Sequence, residues 1–167
     1  DAYASCIVEL DGDSAAMKFV LGTDGSGAEN LIVKKGGFKK DYSINENTAF
    51  PPENLYMNGP EIFNFTIENI PGLVNDTLVE NEIALEEVDY FIFHQANSFM
   101  LKYLRKKIKI PVDKFYIGMS ETGNTVSATI PIALKDALDQ HLIKEGDKVL
   151  IAGFGVGYSM ASTIITI

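Results

Sequence analysis

Residues 88–97 read Val-Asp-Tyr-Phe-Ile-Phe-His-Gln-Ala-Asn and join an apolar run to a short polar motif. The run 88–93 is compact and apolar, which predicts a buried strand, and residues 98–109 have the apolar spacing of a helix. His94 therefore lies at a predicted strand-to-helix junction. In open α/β sheets, ligands bind just beyond the carboxyl ends of the strands.

A second motif, Gly123-Asn124, follows His94 at a distance of thirty residues and opens another predicted helix, with Asn124 expected at its N-cap. An imidazole and a carboxamide that meet at one sheet edge can both donate hydrogen bonds to one carbonyl oxygen. This pairing predicts a site that polarises a carbonyl. Each residue also has a purely structural interpretation, His94 as a core histidine and Asn124 as a helix cap.

The remaining pattern predicts alternating strands and helices. We expect strands at 4–10 and 16–21 and a long loop at 34–54. A helix is expected from Asn58-Gly59-Pro60, with a break or a kink at Pro71-Gly72 before the chain resumes over 73–82. Beyond the His94 and Asn124 motifs we expect a short strand at 115–117 and a strand at 149–152, followed by a glycine turn at 153–157 and a last strand at 159–167. The glycine turn can present an N–H to a ligand or merely connect a hairpin. This order indicates one α/β domain with a mixed, mostly parallel sheet and helices on its faces.

Composition limits the function classes. A net charge of −9 argues against general nucleic-acid binding, and no apolar stretch is long enough for a membrane span. Asp1-Ala2-Tyr3 has no basic start or cleavage pattern, so no signal peptide is expected. The single cysteine, Cys6, suits a reducing cytoplasm, and its apolar neighbours predict a buried thiol of low reactivity. His141 is expected to face solvent, and no metal site is expected because no cysteine or carboxylate has ligand spacing to His94.

The basic residues concentrate on the helix that follows His94, at Lys102, Arg105, Lys106, Lys107 and Lys109. Such a helix can dock an acidic partner. It can equally be an ordinary solvated face.

Three motifs taken together resemble the carboxy-terminal half of the β-ketoacyl-acyl-carrier-protein synthase III family. They are His-Gln-Ala-Asn after an apolar strand, Gly-Asn-Thr at a helix start, and a final Gly-Phe-Gly-x-Gly before a strand. Met57-Asn58-Gly59 through Phe63 is also similar to a helix start of that family. The resemblance extends over residues 1–167 and implies one half of a thiolase-like layered fold.

The resemblance implies a decarboxylative condensing enzyme of fatty acid biosynthesis. In this family a cysteine of the other half accepts an acyl group from acyl-coenzyme A, and the enolate of malonyl-carrier protein attacks it. His94 and Asn124 would then stabilise the enolate, and the Val156 N–H would contribute to an oxyanion hole. Gly59, Phe63 and Phe154 would line the pocket or the pantetheine tunnel, while Lys102, Arg105 and Lys106 would dock the acyl carrier protein.

The resemblance further implies a coenzyme A thioester as substrate with no separate cofactor, and a homodimer in which this half packs on its own amino-terminal half. The sequence departs from the family pattern in having Val156, Pro60 and Phe99 where glycine, a polar residue and a basic residue are common. Two alternatives stay open: a sister condensing enzyme, of the hydroxymethylglutaryl-coenzyme A synthase or secondary-metabolite type, and a non-catalytic carrier- or coenzyme-binding module.

Overall fold

The structure, a computed structural model, describes residues 2–7, 16–36 and 51–167. Its strands are, in chain order, β1 (Phe19–Thr23), β2 (Leu31–Val33), β3 (Leu55–Met57), β4 (Tyr90–Phe93), β5 (Lys148–Gly155) and β6 (Ser159–Thr166). Its α-helices are α1 (Gly59–Glu80), α2 (Ser98–Ile108) and α3 (Thr129–Asp139). Within these ranges, no helix has both the length and the apolar character that a membrane crossing requires.

Four strands form the main sheet in the order β1-β6-β5-β4, and β2 pairs with β3 separately. β4 and β5 are parallel, whereas β5–β6 and β1–β6 are antiparallel. The predicted mixed α/β sheet is confirmed, but the described pairings are not mostly parallel. The reason is local: a three-residue turn at 156–158 folds β6 back along β5, and β1 then adds to the far side of β6.

The two faces of β4 pack against different helices. Phe91 and Phe93 join a cluster with residues of α1 and α2, while Tyr90 and Ile92 join a cluster with residues of α3. Because both faces are covered, all four residues of β4 are buried, which explains why this strand is continuously apolar in sequence. The prediction of helices on both faces of the sheet is therefore confirmed.

Helix α1 begins as predicted but does not break. Asn58 is its N-cap and Pro60 lies in its first turn, where a missing N–H costs little. The helix then continues through Pro71 to Glu80, so a break at Pro71-Gly72, one of the two predicted outcomes, does not occur. Buried side chains on both sides of the proline, at Ile70, Leu73 and Val74, hold the two segments against the sheet as one helix.

Three other sequence-based predictions change. The predicted strand at 115–117 is reduced to a single parallel bridge between Phe91 and Phe115. The predicted strand at 4–10 and its hairpin turn lie partly outside the described residues, and residues 2–7 have no regular secondary structure. Cys6 is consequently exposed rather than buried, which overturns the prediction of an inaccessible thiol. Of the predicted loop at 34–54, residues 37–50 lie outside the described ranges.

Candidate functional site

His94 lies at the carboxyl edge of the parallel strand pair. Its backbone N–H extends the β4–β5 pairing by donating to the Ala152 carbonyl at 2.8 Å. Its ring meets the Phe154 ring edge-on, with centroids 5.6 Å apart and an interplanar angle of 86°. The sequence-based placement of His94 at a strand end is therefore confirmed.

The imidazole of His94 is tied to the first turn of α3. Nδ1 lies 2.7 Å from Oγ1 of Thr129, a residue that is 2% exposed. Burial lowers the pKa of His94, because a low-dielectric surrounding disfavours the imidazolium. The ring is therefore held in a fixed orientation and in its neutral form near pH 7.

Asn124 is not the N-cap of α3. A short 3-10 turn, Val126–Ala128, intervenes, and the N-cap position is Ala128. Asn124 instead closes a local turn, in which its Oδ1 accepts a hydrogen bond from the Val126 N–H at 2.9 Å. Because that N–H can only donate, the carboxamide oxygen must face it, and the two N–H groups of Nδ2 remain for a ligand.

A series of hydrogen bonds connects the two predicted site residues. The Thr129 hydroxyl contacts His94 Nδ1 at one side and the Val126 carbonyl, 3.0 Å away, at the other. The Val126 N–H in turn binds the Asn124 side chain. The structure thus brings together the segments that carry His94 and Asn124, and Thr129 and Val126 connect the two side chains.

Gln95, which sequence reasoning did not identify, connects the end of β4 to the segment around Gly118. Its side chain is buried and donates from Nε2 to the Phe93 carbonyl at 2.7 Å, while Oε1 accepts from the Gly118 N–H at 3.1 Å. Gln95 also lines a small pocket with Gly123 and Thr129. The sequence signal for Gln95 is a carboxamide directly after a fully buried strand. The corresponding signal for Thr129 is a hydroxyl within the apolar stripe of α3.

The glycine-rich segment serves mainly as a strand. Gly153 and Gly155 lie inside β5, so the predicted turn at 153–157 is shortened to residues 156–158 and connects a hairpin. Val156 is the first residue of that turn and is 58% exposed. Phe154 is buried, and its ring contacts the His94 ring.

The predicted tunnel residues on α1 lie next to α2. Gly59 is the first residue of α1, and Phe63 follows one turn later. In the described part of the chain, the ring contacts of Phe63 are with Phe99, which is stacked at 5.6 Å, and with the edge of Tyr103. Phe63 thus borders the first turn of the helix that follows His94, rather than the imidazole itself.

The predicted docking residues differ in exposure. Lys102 and Lys106 are exposed and share one face of α2 with Phe99 and Tyr103, at helical spacings of three and four. Arg105 is half-buried and donates to the Ile110 carbonyl at 2.9 Å, beyond the end of the helix.

His141 is exposed, as predicted. Among the described residues, no group of three histidine, cysteine or acidic side chains could hold a metal ion.

The chain is similar to known proteins over its whole length. The family model described as "3-Oxoacyl-[acyl-carrier-protein (ACP)] synthase III C terminal" matches residues 78–167. The β-ketoacyl-[acyl-carrier-protein] synthase III of Fusobacterium nucleatum is 34% identical over 98% of this chain and 50% of its own length. That of Streptococcus gordonii is 32% identical over 100% of this chain and 51% of its own length.

Solved structures give the same result. A 3-oxoacyl-(acyl-carrier-protein) synthase III crystal structure superposes with a TM-score of 0.89 at 38% identity, over 96% of this chain and 50% of the other. A 3-oxoacyl-(acyl-carrier protein) synthase from Burkholderia xenovorans superposes with a TM-score of 0.85 at 43% identity, over 95% of this chain and 46% of the other. The chain spans about half the length of the curated relatives it matches.

Proposed function

Because this chain belongs to the family of carboxy-terminal domains of 3-oxoacyl-acyl-carrier-protein synthase III, we propose that it supplies the decarboxylating half of a Claisen condensation. The substrate of this half is a malonyl thioester on a carrier protein, and the reaction belongs to fatty acid biosynthesis. The observation that carries the proposal is the hydrogen-bonded connection from His94 to the Thr129 hydroxyl, from the Thr129 backbone N–H to the Val126 carbonyl, and from the Val126 N–H to Asn124.

The chemistry assigns one role to both side chains. The bond between the malonyl α-carbon and its carboxylate breaks, carbon dioxide leaves, and the electron pair forms an enolate on the thioester. Hydrogen bonds from the His94 ring and from Asn124 Nδ2 stabilise the negative charge that develops on the thioester oxygen. The fixed orientation of both groups means that little reorganisation is needed when the charge appears.

The enolate carbon then attacks an acyl-cysteine thioester, forms the new carbon–carbon bond and releases the cysteine thiolate. We place that cysteine in the half of the relatives that this chain does not span, since Cys6 lies in an exposed segment without regular structure. In the proposal, acyl-coenzyme A supplies the acyl group as a substrate, with no resident cofactor. The exposed turn at Val156 offers the backbone N–H for the oxyanion of this second step.

Substitution of the two side chains tests this function in the full-length synthase that contains this sequence. Removing one oxyanion donor typically lowers kcat by about 100- to 1000-fold. We therefore expect His94→Ala and Asn124→Ala each to reduce the decarboxylation of malonyl-carrier protein to this degree. His141→Ala, which removes an exposed histidine, is the matched control and should leave the rate unchanged. Wild-type rates in both site variants would refute the assignment.

The exposed face of α2 supports the second part of the proposal, docking of an acidic acyl carrier protein. Lys102 and Lys106 present charge beside the rings of Phe99 and Tyr103, so the surface offers both cationic and apolar contacts. One guanidinium nitrogen of Arg105 donates to the Ile110 carbonyl, and the other N–H groups of this side chain can bind an acidic residue of the carrier. A carrier with acidic residues around an apolar centre would complement this face.

Charge reversal measures the docking contribution. We expect the double variant Lys102→Glu, Lys106→Glu to weaken carrier binding by about tenfold or more at low salt, and much less at high salt, where surface charges are screened. Lys144→Glu, an exposed lysine in the turn before β5, serves as the control for net charge. Unchanged affinity in the double variant at low salt would argue against docking on α2.

Assembly and location complete the proposal. The family resemblance supports a homodimer in which this half packs against its own amino-terminal half, and the single cysteine suits the reducing cytoplasm. Light scattering of the full-length synthase tests the dimer, and a mass of one subunit would contradict it.

A further inference from the structure

The contact between His94 and Thr129 raises the question of which atom carries the hydrogen. A neutral imidazole has one N–H and one bare nitrogen, and their positions are set by the partner of each nitrogen. Nδ1 faces only one described hydrogen-bond partner, the Thr129 hydroxyl at 2.7 Å. If Nδ1 carries the hydrogen, Nε2 is bare and cannot donate to a ligand.

The hydroxyl of Thr129 has one hydrogen and two possible acceptors. One is His94 Nδ1 at 2.7 Å, and the other is the Val126 carbonyl at 3.0 Å. The Val126 carbonyl already accepts the backbone N–H of Thr129 itself. The carbonyl therefore has a donor without the hydroxyl hydrogen, whereas the hydroxyl is the one described donor for a bare Nδ1 in this half-buried position.

The shorter distance to Nδ1 and the bond that the Val126 carbonyl already accepts both favour His94 as the acceptor of the hydroxyl hydrogen. We propose that the Thr129 hydroxyl donates to His94 Nδ1 and thereby fixes the imidazole as the tautomer that carries its hydrogen on Nε2. Thr129 is then a positioning residue, which acts on the ligand only through His94. Its consequence for catalysis rests on the proposed function, because Nε2–H is the donor that the thioester oxygen would require.

The side chain of Thr129 is suited to this task. Thr129 is the first residue of α3, where helical structure fixes its backbone, and it is 2% exposed, so its own side chain is shielded from water. Loss of the hydroxyl alone, as in Thr129→Val, keeps the branched shape and the burial. Thr129→Ser keeps the hydroxyl and removes only a methyl group.

Nitrogen NMR of histidine-labelled protein tests the tautomer directly, without any activity. The chain has two histidines, His94 and His141, so His94→Gln assigns the signals. At pH 8 the wild-type protein should show His94 Nε2 as the protonated nitrogen and Nδ1 as a bare, hydrogen-bonded nitrogen. A hydrogen on Nδ1, or fast exchange between the two tautomers, would overturn the proposal whatever the variants do.

The variants separate the hydroxyl from the rest of the side chain. Thr129→Val should move the Nδ1 resonance toward that of a bare nitrogen without a donor, and Thr129→Ser should leave it near the wild-type position. Thr66→Val is the matched control, since Thr66 is a buried threonine whose hydroxyl bonds to Ile62 in α1, away from His94. An unmoved Nδ1 resonance in Thr129→Val would show that the hydroxyl is not its donor.

The activity of the full-length synthase gives a second readout. Loss of one neutral hydrogen bond should lower kcat for malonyl decarboxylation by roughly five- to tenfold in Thr129→Val with little change in KM, and Thr129→Ser should restore it. A wild-type kcat in Thr129→Val, combined with a displaced Nδ1 resonance, would overturn the positioning role and leave the proposed condensation standing.

Discussion

Lys107 Nζ donates a hydrogen bond to the Ile67 carbonyl, at 2.6 Å, and so replaces a helical bond that is missing from α1. In a regular helix this carbonyl would accept the N–H of the residue four positions later, which is Pro71. Proline has no N–H, and its ring usually breaks or kinks a helix. The lysine of α2 thus provides the donor that α1 lacks.

We expect this bond to be coupled to the proline. Lys107→Met should destabilise the protein by about 0.5–1.5 kcal/mol, since it leaves the Ile67 carbonyl without that donor. In a Pro71→Ala background, where the helical N–H is restored, the same substitution should cost less. Urea denaturation of the four proteins gives the coupling energy.

Lys106→Met is the control for the loss of a neighbouring exposed lysine, and should change stability by less than about 0.5 kcal/mol. Equal costs of Lys107→Met in the two backgrounds would show that the bond does not compensate for the proline.

Gln95 should be important for stability. Gln95→Ala removes a buried carboxamide that accepts a hydrogen bond from the Gly118 N–H and donates one to the Phe93 carbonyl. Unsatisfied buried polar groups cost about 1–3 kcal/mol each, and we expect a loss of this size in the unfolding free energy. Gln140→Ala, at the exposed end of α3, should be close to neutral when measured in the same way. A neutral Gln95→Ala would contradict the supporting role of Gln95.

The burial of His94 predicts how stability depends on pH. Its folded pKa is lowered, so below its ordinary pKa of about 6.5 the unfolded chain binds a proton more readily than the folded chain. Stability therefore falls as pH decreases through this range, and the His94 contribution levels off below the folded pKa. The drop in unfolding free energy from pH 8 to pH 5 should be smaller in His94→Gln than in the wild type. An equal drop in both proteins would rule out this contribution.

Gly27 should not tolerate a side chain. A Cβ built there would lie 2.0 Å from the ring of Tyr158, and that ring is stacked against Phe65 at 4.0 Å, so it has little freedom to move away. We expect Gly27→Ala to lower the unfolding free energy by about 1–3 kcal/mol, as overpacking usually does. Gly25→Ala, where a Cβ would meet nothing within 4 Å, is the matched control. Similar melting temperatures for both variants would show that Tyr158 yields easily.

The local features of the fold could be predicted from sequence, and the exceptions are tertiary in origin. The strand ending at Phe93 and the cap at Asn58 follow from apolar patterning and from capping chemistry, which are local. The continuity of α1 through Pro71 could not be predicted, because the compensating donor lies on α2, forty positions away in sequence. The exposure of Cys6 likewise depends on whether residues 2–7 pair in a sheet, and apolar composition does not determine that.

The candidate site shows the same division. His94 and Asn124 could be identified as a pair from their motifs, whereas Asn124 was expected to cap α3 and instead closes a turn ahead of it. Thr129 and Gln95 were not identified, since their importance comes from contacts with segments 35 and 23 positions away. Motifs thus located the two polar residues proposed to contact a ligand, whereas their supporting partners could be found only from the fold.

The parallel pairing of β4 with β5 has a consequence for the order of folding. β5 and β6 are joined by three residues, whereas Tyr90 of β4 pairs with Val149 at a separation of 59 positions. Closing the longer loop costs more chain entropy, so we expect the hairpin to be ordered in the folding transition state before β4 docks. Ile164→Ala should then give a higher φ-value than Ile92→Ala, and the reverse order would disprove this sequence of events. Since His94 directly follows β4, its ring would reach Thr129 and Phe154 only after the hairpin has formed.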